Sequence, residues 1–282
     1  MIADATTGER KVEQRVTVLE RIHAYWHAHA RAHTREAIDI SPVTLYLGPE
    51  RDPRYTERAP GYNVVIPNDD AAGDVAAMLA QIRARVHERR GRAHVELIEE
   101  LFPRLRAALV ALGLREVVRE PLLTCTAERL RPALDIPGLA IDELTSTSPL
   151  SAMQEALDVN ERGFDPSYAA SASLADAERF RRDLTAARAF TARLDGTPAA
   201  GGMYTAPFGG LSRIVGVATL EPYRRHGIAA ALTTYITRAA FAAGVEVVFL
   251  AAASDDARRV YERIGYRAVG TIVGLDDWII GD

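Results

Sequence analysis

The stretch Val215-Gly-Val-Ala-Thr-Leu-Glu-Pro-Tyr-Arg-Arg-His-Gly-Ile-Ala-Ala230 decides how this chain folds. It passes from a strand-like apolar run, through a basic turn, into the start of a helix. Arg224, Arg225 and His226 stand directly before Gly227 and a run of small residues, so positive charge and the unpaired N–H groups of a helix start converge on one point. An anion site is built in this way, and a phosphate suits it best. An ordinary αβ corner with a solvated Arg-Arg pair would show the same letters, so the flanking sequence has to separate the two.

Upstream, apolar runs at 189–194, 199–205 and 214–219 are broken by Asp195-Gly196 and by Gly209-Gly210. Asp-Gly between two such runs is a strong hairpin signal, so three antiparallel strands are expected to lead into the basic turn. Leu139–Leu144 reads as a further strand, with one or two helices between Leu150 and Leu184. Downstream, Ile228, Leu232, Tyr235, Ala239 and Ala242 draw an apolar stripe at helical spacing, Gly244 ends that helix, and Val245–Leu250 is a buried strand. A last helix from Asp255 to Ile264 leads through Gly265 into a strand over 266–273.

Composition narrows the class. The chain has 282 residues, 48% of them hydrophobic, enough for one large domain or two of ordinary size. A net charge of −4 argues against a nucleic-acid binder. One cysteine, Cys125, excludes an internal disulfide and has no neighbour at metal-ligand spacing. The first residues hold no apolar signal core and no later run is long enough to span a membrane, so a cytoplasmic protein is expected.

The first half carries its own pattern. A long helix over residues 9 to about 33 places Val12, Val16, Leu19, Ile22 and Trp26 on one stripe. His23, His27, His29 and His33 form two i, i+4 pairs on that helix, but the glutamate of His-Glu-x-x-His is missing and the pairs lie on different faces; exposed helix surface is expected and no metal site. Short β-type runs at 44–47 and 62–66 flank a turn-rich segment, Gly48 to Gly61. A helix over 71–88, a strand over 94–98, a helix over 103–112 and a strand over 114–124 follow. Pro132, Pro137 and Gly138 mark a linker, giving expected domains at 1–128 and 139–282 joined by 129–138.

Arg224-Arg-His-Gly227-Ile-Ala229 resembles the Arg/Gln-x-x-Gly-x-Gly/Ala signature of the GNAT superfamily of acyl-CoA-dependent N-acyltransferases. Ser254-Asp-Asp-Ala257-Arg-Arg-Val260-Tyr261-Glu-Arg-Ile-Gly265-Tyr266 resembles that family's second motif, Asn-x-x-Ala-x-x-x-Tyr-x-x-x-Gly-Phe/Tyr, in the right order and at a plausible separation. The likeness covers roughly residues 139–276. The strand–helix–strand–helix–strand order of the first half is similar to the latter part of the same fold, but Pro67-Asn-Asp-Asp-Ala-Ala-Gly replaces the basic turn. Asp69 and Asp70 would there face any pyrophosphate and oppose it. The expected fold is therefore α/β (α+β): two GNAT-like domains in tandem, each a mixed, mainly antiparallel sheet flanked by helices, the first degenerate and the second working. An unrelated α/β accessory domain is the competing reading of the first half.

The resemblance implies an acetyl-CoA co-substrate. The backbone of Arg224, Arg225, His226, Gly227, Ile228, Ala229 and Ala230 would hold the pyrophosphate, with Gly227 and Ala229 small enough to let it approach. The strand Val217, Ala218 and Thr219 would pair with the pantetheine arm and polarise the thioester carbonyl. Tyr261 would protonate the departing sulfur, although its spacing with Ala257, Val260 and Ile264 also suits a core position. Ser254 stands where the family has asparagine and is equally suited to an N-cap. Glu221 suits a base, but a surface turn carboxylate is the plainer reading.

The implied activity is acetyl transfer from acetyl-CoA, or transfer from another acyl-CoA, to an amine by direct attack in a ternary complex, a small-molecule acceptor favoured over a protein one, the chain a monomer or homodimer. A non-catalytic acyl-CoA-binding sensor or scaffold is the alternative from another class. A dinucleotide-binding enzyme is disfavoured, because Gly-x-Gly-x-x-Gly is absent.

Overall fold

A computed structural model describes residues 2–34, 36–48, 62–71, 73–87, 92–132 and 134–277. The turn-rich segment expected between Gly48 and Gly61 lies outside them, apart from Gly48 itself. The chain divides into two compact units, residues 1–122 with 269–282, and residues 123–268. The segment 129–138 falls inside the second unit, and the last strand crosses from the second into the first.

The first unit opens with α1 (Ile2–His33), followed by β1 (Glu36–Ile40), β2 (Val43–Leu47), β3 (Tyr62–Pro67), α2 (Val75–His87), β4 (Arg92–Ile98), α3 (Pro103–Ala111) and most of β5 (Arg115–Cys125). β1 and β2 are antiparallel, as are β2 and β3, whereas β3 and β4 are parallel from Tyr62↔Arg92 to Val65↔Val95. β11 (Arg267–Asp276), introduced by the second unit, pairs antiparallel with β4. The core is built from Leu45, Val65, Leu79, Ile82, Val95, Leu97, Leu105 and Val273, the inward faces of strands and helices that the periodicity marks. β1 carries Glu36 and Asp39 on its exposed positions, which hid it from a search for apolar alternation.

The second unit runs β6 (Leu139–Leu144), α4 (Leu150–Phe164), α5 (Leu174–Asp183), β7 (Arg188–Leu194), β8 (Thr197–Tyr204), β9 (Leu211–Thr219), a 3₁₀ turn (Glu221–Tyr223), α6 (Ile228–Ala242), β10 (Val247–Ala251) and α7 (Asp255–Arg263). β6 to β9 form an antiparallel meander, and β9 pairs parallel with β10. Each unit is thus a mixed, mainly antiparallel sheet in which one helix crosses between one parallel pair, β3-α2-β4 and β9-α6-β10. The hairpin expected at Asp195-Gly196 has both residues in the left-handed region (φ 50° and 79°), the requirement of a type I′ turn. The buried stripe of α6 runs through Ile228, Leu232, Ile236 and Ala240, and Tyr235, expected on it, is exposed.

α1 departs from the expected helix surface. Leu19, Ile22 and Trp26 are buried as the stripe requires, while Val16 is exposed. His23 and His27, read as solvated, are partly buried and joined through Nε2 atoms 3.1 Å apart. His27 Nε2 also lies 3.0 Å from the Pro67 carbonyl, which can only accept, so Nε2 carries the proton and Nδ1 accepts from the Tyr46 hydroxyl at 2.7 Å. Burial first brings the His27 pKa below the ordinary histidine value, against the raising effect of the Pro67 carbonyl, which favours this neutral tautomer. His23 is held neutral too: burial first, and the neighbouring His27 second, bring its pKa down to about 4.

A histidine with a depressed folded-state pKa destabilises the fold as pH drops, because the unfolded chain takes up the proton first. The loss should begin near the ordinary histidine pKa of 6.5 and level off near 4. Denaturant unfolding of the wild type is expected to weaken by about 2–3 kcal/mol over that window, allowing for partial screening. His23→Gln should flatten the dependence, and an unchanged slope would remove His23 as its source.

Candidate functional site

The second unit leaves a set of backbone groups without partners at one place. The β9–β10 register stops at Arg213↔Phe249, whereas β9 continues to Thr219 beside β8 alone. Ile214–Thr219 therefore has one open edge among the described residues. Opposite Gly202 of β8 the ladder slips by one residue at Gly216 and Val217, a β-bulge with Gly216 at φ +66°. Gly202 is suited to this place, since a Cβ there would sit 3.2 Å from Val217 Cγ2.

β9 ends at Thr219, and the 3₁₀ turn carries the chain to the basic residues. Arg224 is extended, Arg225 is left-handed at φ 67°, and Gly227 is left-handed at φ 79° as the N-cap of α6. A non-glycine residue with φ near +67° costs on the order of 1 kcal/mol, so the loop shape is held against local preference. No side chain caps α6. Among the described residues the N–H groups of Arg225, His226, Gly227, Ile228, Ala229 and Ala230 meet no acceptor, the first intrahelical bond being Ala231 N–H to the Gly227 carbonyl. Left-handed residues at Arg225 and Gly227 turn the chain sharply through these successive donors.

α2, α3, α5 and α7 start differently. Asp74 Oδ1 accepts from Ala77 N at the start of α2, and Asp70 Oδ1 accepts from both Arg104 N and Leu105 N of α3, each at 2.9 Å. Ser173 and Ser254 cap α5 and α7. Asp70 thus corrects the sequence reading: its carboxylate does not face the loop before α2 but caps α3, held further by Arg104 Nε at 3.0 Å. Those donors hold its carboxyl below the usual carboxylate range against the opposing effect of burial.

The side chains of the basic turn divide in two. Arg224 is committed to the protein, its Nε donating to the Thr219 carbonyl (3.1 Å) and its Nη2 to the Gly163 carbonyl at the end of α4 (2.9 Å). Arg225 and His226 are exposed and have no partner among the described residues. Leu134 and Ile136, from the segment read as a linker, lie against Gly227, their Cδ1 atoms 3.2 and 3.6 Å from where a Cβ would stand.

Tyr261 is 8% exposed and sits in one hydrophobic cluster with Ile228, Leu250 and Tyr266, against which Val217 also packs. Its ring centroid is 6.1 Å from that of Tyr266, whose hydroxyl bonds Thr237 Oγ1 at 2.6 Å. Val217 after the bulge, Ile228 at the start of α6 and Tyr261 thus belong to or pack on the same hydrophobic cluster. Ser254 accepts from Ala257 N at 3.2 Å, which leaves its hydroxyl proton available to another group. Cys125 is buried, and burial pushes its thiol up to about 11.

Sequence reasoning missed α4's part in this site. Asn160 Nδ2 donates to the Gly216 carbonyl at 2.5 Å, and Gly163 lies so close to β9 that a Cβ would fall 2.7 Å from Ala218 Cβ. The available signal was an asparagine and a glycine three residues apart in a helix. On the other side of α4, Ser151, Gln154, Glu155, Asp158, Arg162 and Leu220 line a cavity of about 500 Å³. No group of three or more His, Cys, Asp or Glu side chains arranged for a metal occurs among the described residues, and no described helix is long and apolar enough to cross a membrane.

Comparison with known proteins agrees with this geometry. Residues 153–266 match the model of the acetyltransferase (GNAT) family. A GCN5-related N-acetyltransferase from Kribbella flavida is 25% identical, with 94% of this chain and 96% of that one covered at a TM-score of 0.75. A GCN5-related N-acetyltransferase from Sphaerobacter thermophilus (19% identity, 84% and 76% covered, TM-score 0.60) shares the fold. So does a tandem GNAT protein from the clavulanic acid biosynthesis pathway (14% identity, 83% and 78% covered, TM-score 0.59). No curated protein matches the sequence. The bulged open strand, the uncapped helix and the two motifs thus lie within residues 153–266, the stretch that matches the acetyltransferase (GNAT) family model.

Proposed function

We propose that the chain is an N-acetyltransferase that moves the acetyl group of acetyl-CoA to an amine by direct attack in a ternary complex. The observation that carries this reading is the run of six unpaired N–H groups from Arg225 to Ala230, placed at the end of a strand with one free edge. Coenzyme A needs both: a donor nest for its pyrophosphate, and a strand edge for the amides of its pantetheine arm. Arg225, exposed, adds positive charge beside the nest, and Arg224 keeps the turn in shape.

In the reaction the amine nitrogen attacks the thioester carbonyl carbon, and negative charge gathers on the carbonyl oxygen. Backbone N–H groups of Val217–Thr219 are the donors suited to stabilise it. The carbon–sulfur bond then breaks, and the Tyr261 hydroxyl passes its proton to the departing thiolate. The amine must arrive neutral, which an ordinary alkylammonium near neutral pH does not, so a base or water must first take its proton. A covalent acetyl-cysteine route is disfavoured, because the one cysteine is buried and its thiol, at about 11, stays protonated at neutral pH.

We read the first unit as a structural half. Asp74 fills the helix start that a pyrophosphate would use, and His27 of α1 donates to the Pro67 carbonyl where β3 outlasts its pairing with β4. The acceptor is read as a small-molecule amine.

Calorimetric titration with coenzyme A is expected to give one site per chain; two equivalent sites would contradict the structural role of the first unit. In turnover followed by thiol release over an amine panel, Tyr261→Phe should lower kcat by about 10²-fold with acetyl-CoA affinity nearly unchanged. Wild-type turnover in that variant would remove Tyr261 from proton transfer, and binding without any transfer would favour the sensor or scaffold.

A further inference from the structure

The last full turn of α4 contains two residues that weaken a helix, Asn160 and Gly163, on the face turned to β9. Asn160 Nδ2 donates to the Gly216 carbonyl at 2.5 Å. That carbonyl belongs to the bulge, where the β8–β9 register shifts opposite Gly202. Gly216 itself stands at φ +66°, and a Cβ there would lie 3.1 Å from the same Asn160 nitrogen. Bulge and amide are therefore fitted to each other.

One turn further on, Gly163 brings the helix backbone against the strand. A Cβ would fall 3.3 Å from the Thr219 backbone nitrogen as well as 2.7 Å from Ala218 Cβ. The Gly163 carbonyl takes Arg224 Nη2, while the same guanidinium holds the Thr219 carbonyl through Nε. A single stretch of α4 thus fastens the bulge at one end and the basic turn at the other.

We propose that Asn160 is a positioning residue for acetyl transfer. It fixes the Gly216 peptide so that the strand past the bulge presents its edge at a set distance from the phosphate nest. Asn160 touches no substrate in this role; it acts through Gly216, and Gly163 with Arg224 holds the other end of the span. Small displacements matter here, because the attacked carbon must meet the N–H donors that stabilise the oxyanion. The inference rests on the acetyltransferase reading above, and it separates two effects: losing Asn160 should disturb the reactive end and leave the phosphate end anchored.

Asn160→Asp keeps the shape but replaces the N–H donor by a carboxylate that repels the Gly216 carbonyl. Its kcat should fall by about 30-fold while KM for acetyl-CoA stays within about twofold. Hydrogen exchange of the amides at 215–219 should speed up, with those of the β6–β7 pair unchanged. Asn160→Ser, which retains a donor without a charge, should lie between wild type and Asn160→Asp on both readouts, and it replaces Asn160→Asp if that variant does not fold. Wild-type kcat, a loss confined to KM, or unchanged exchange at 215–219 would overturn the proposal. If the wild type transfers no acetyl group, the acetyltransferase reading falls, and exchange alone decides whether Asn160 orders the bulge.

Discussion

A backbone N–H or carbonyl that leaves its ladder must find another partner, and the second unit is organised around a place where such groups have none of the protein's own. Among the described residues, β9 parts from β10 after Arg213 and carries on to Thr219 with one bare edge, and α6 begins on a left-handed glycine with no capping side chain. The two loose ends are adjacent in sequence, so one extended ligand can satisfy both. Bare edge and uncapped helix would each be a liability alone. Together they define a slot with a polar wall and a run of unpaired donors at one end, among the described residues.

The surrounding structure holds that slot open. Gly202 makes room for Val217 at the bulge, Asn160 takes up the carbonyl that the bulge releases, and Arg224 spends both arms of its guanidinium on the carbonyls of Thr219 and Gly163. The first unit has a similar strand–helix–strand frame with the opposite outcome. There, Asp74 and Asp70 cap the helices and His27 of α1 reaches the last carbonyl of β3. Groups bonded within the protein in this way offer a ligand fewer donors and acceptors, which is the physical basis for reading the first unit as structural.

Much of the fold was legible because its signals are local. Asp195-Gly196 announced the hairpin, Gly244 the end of α6, and the strand–turn–helix at Val215–Ala230 the crossing element. The two motifs placed the candidate site on α6 and α7. What was not legible depends on contacts between distant segments. Asp70 reads as an obstacle in its own loop, and only the packing of α3 reveals it as a cap. Asn160 and Gly163 look like poor helix formers until β9 is laid beside them, and His23 and His27 look solvated until Tyr46 and Pro67 meet them. β1 escaped notice because its outward residues are charged and its partner, β2, is the apolar one.

The most direct test is a titration of ¹⁵N-labelled protein with coenzyme A, following the backbone amides of Arg225 to Ala230. The account predicts that these six resonances shift on binding, because their free N–H groups acquire phosphate acceptors, while the amides of Ala77, Arg104 and Leu105, already bonded to Asp74 and Asp70, stay in place. Shifts at the first-unit amides with none at 225–230 would contradict it.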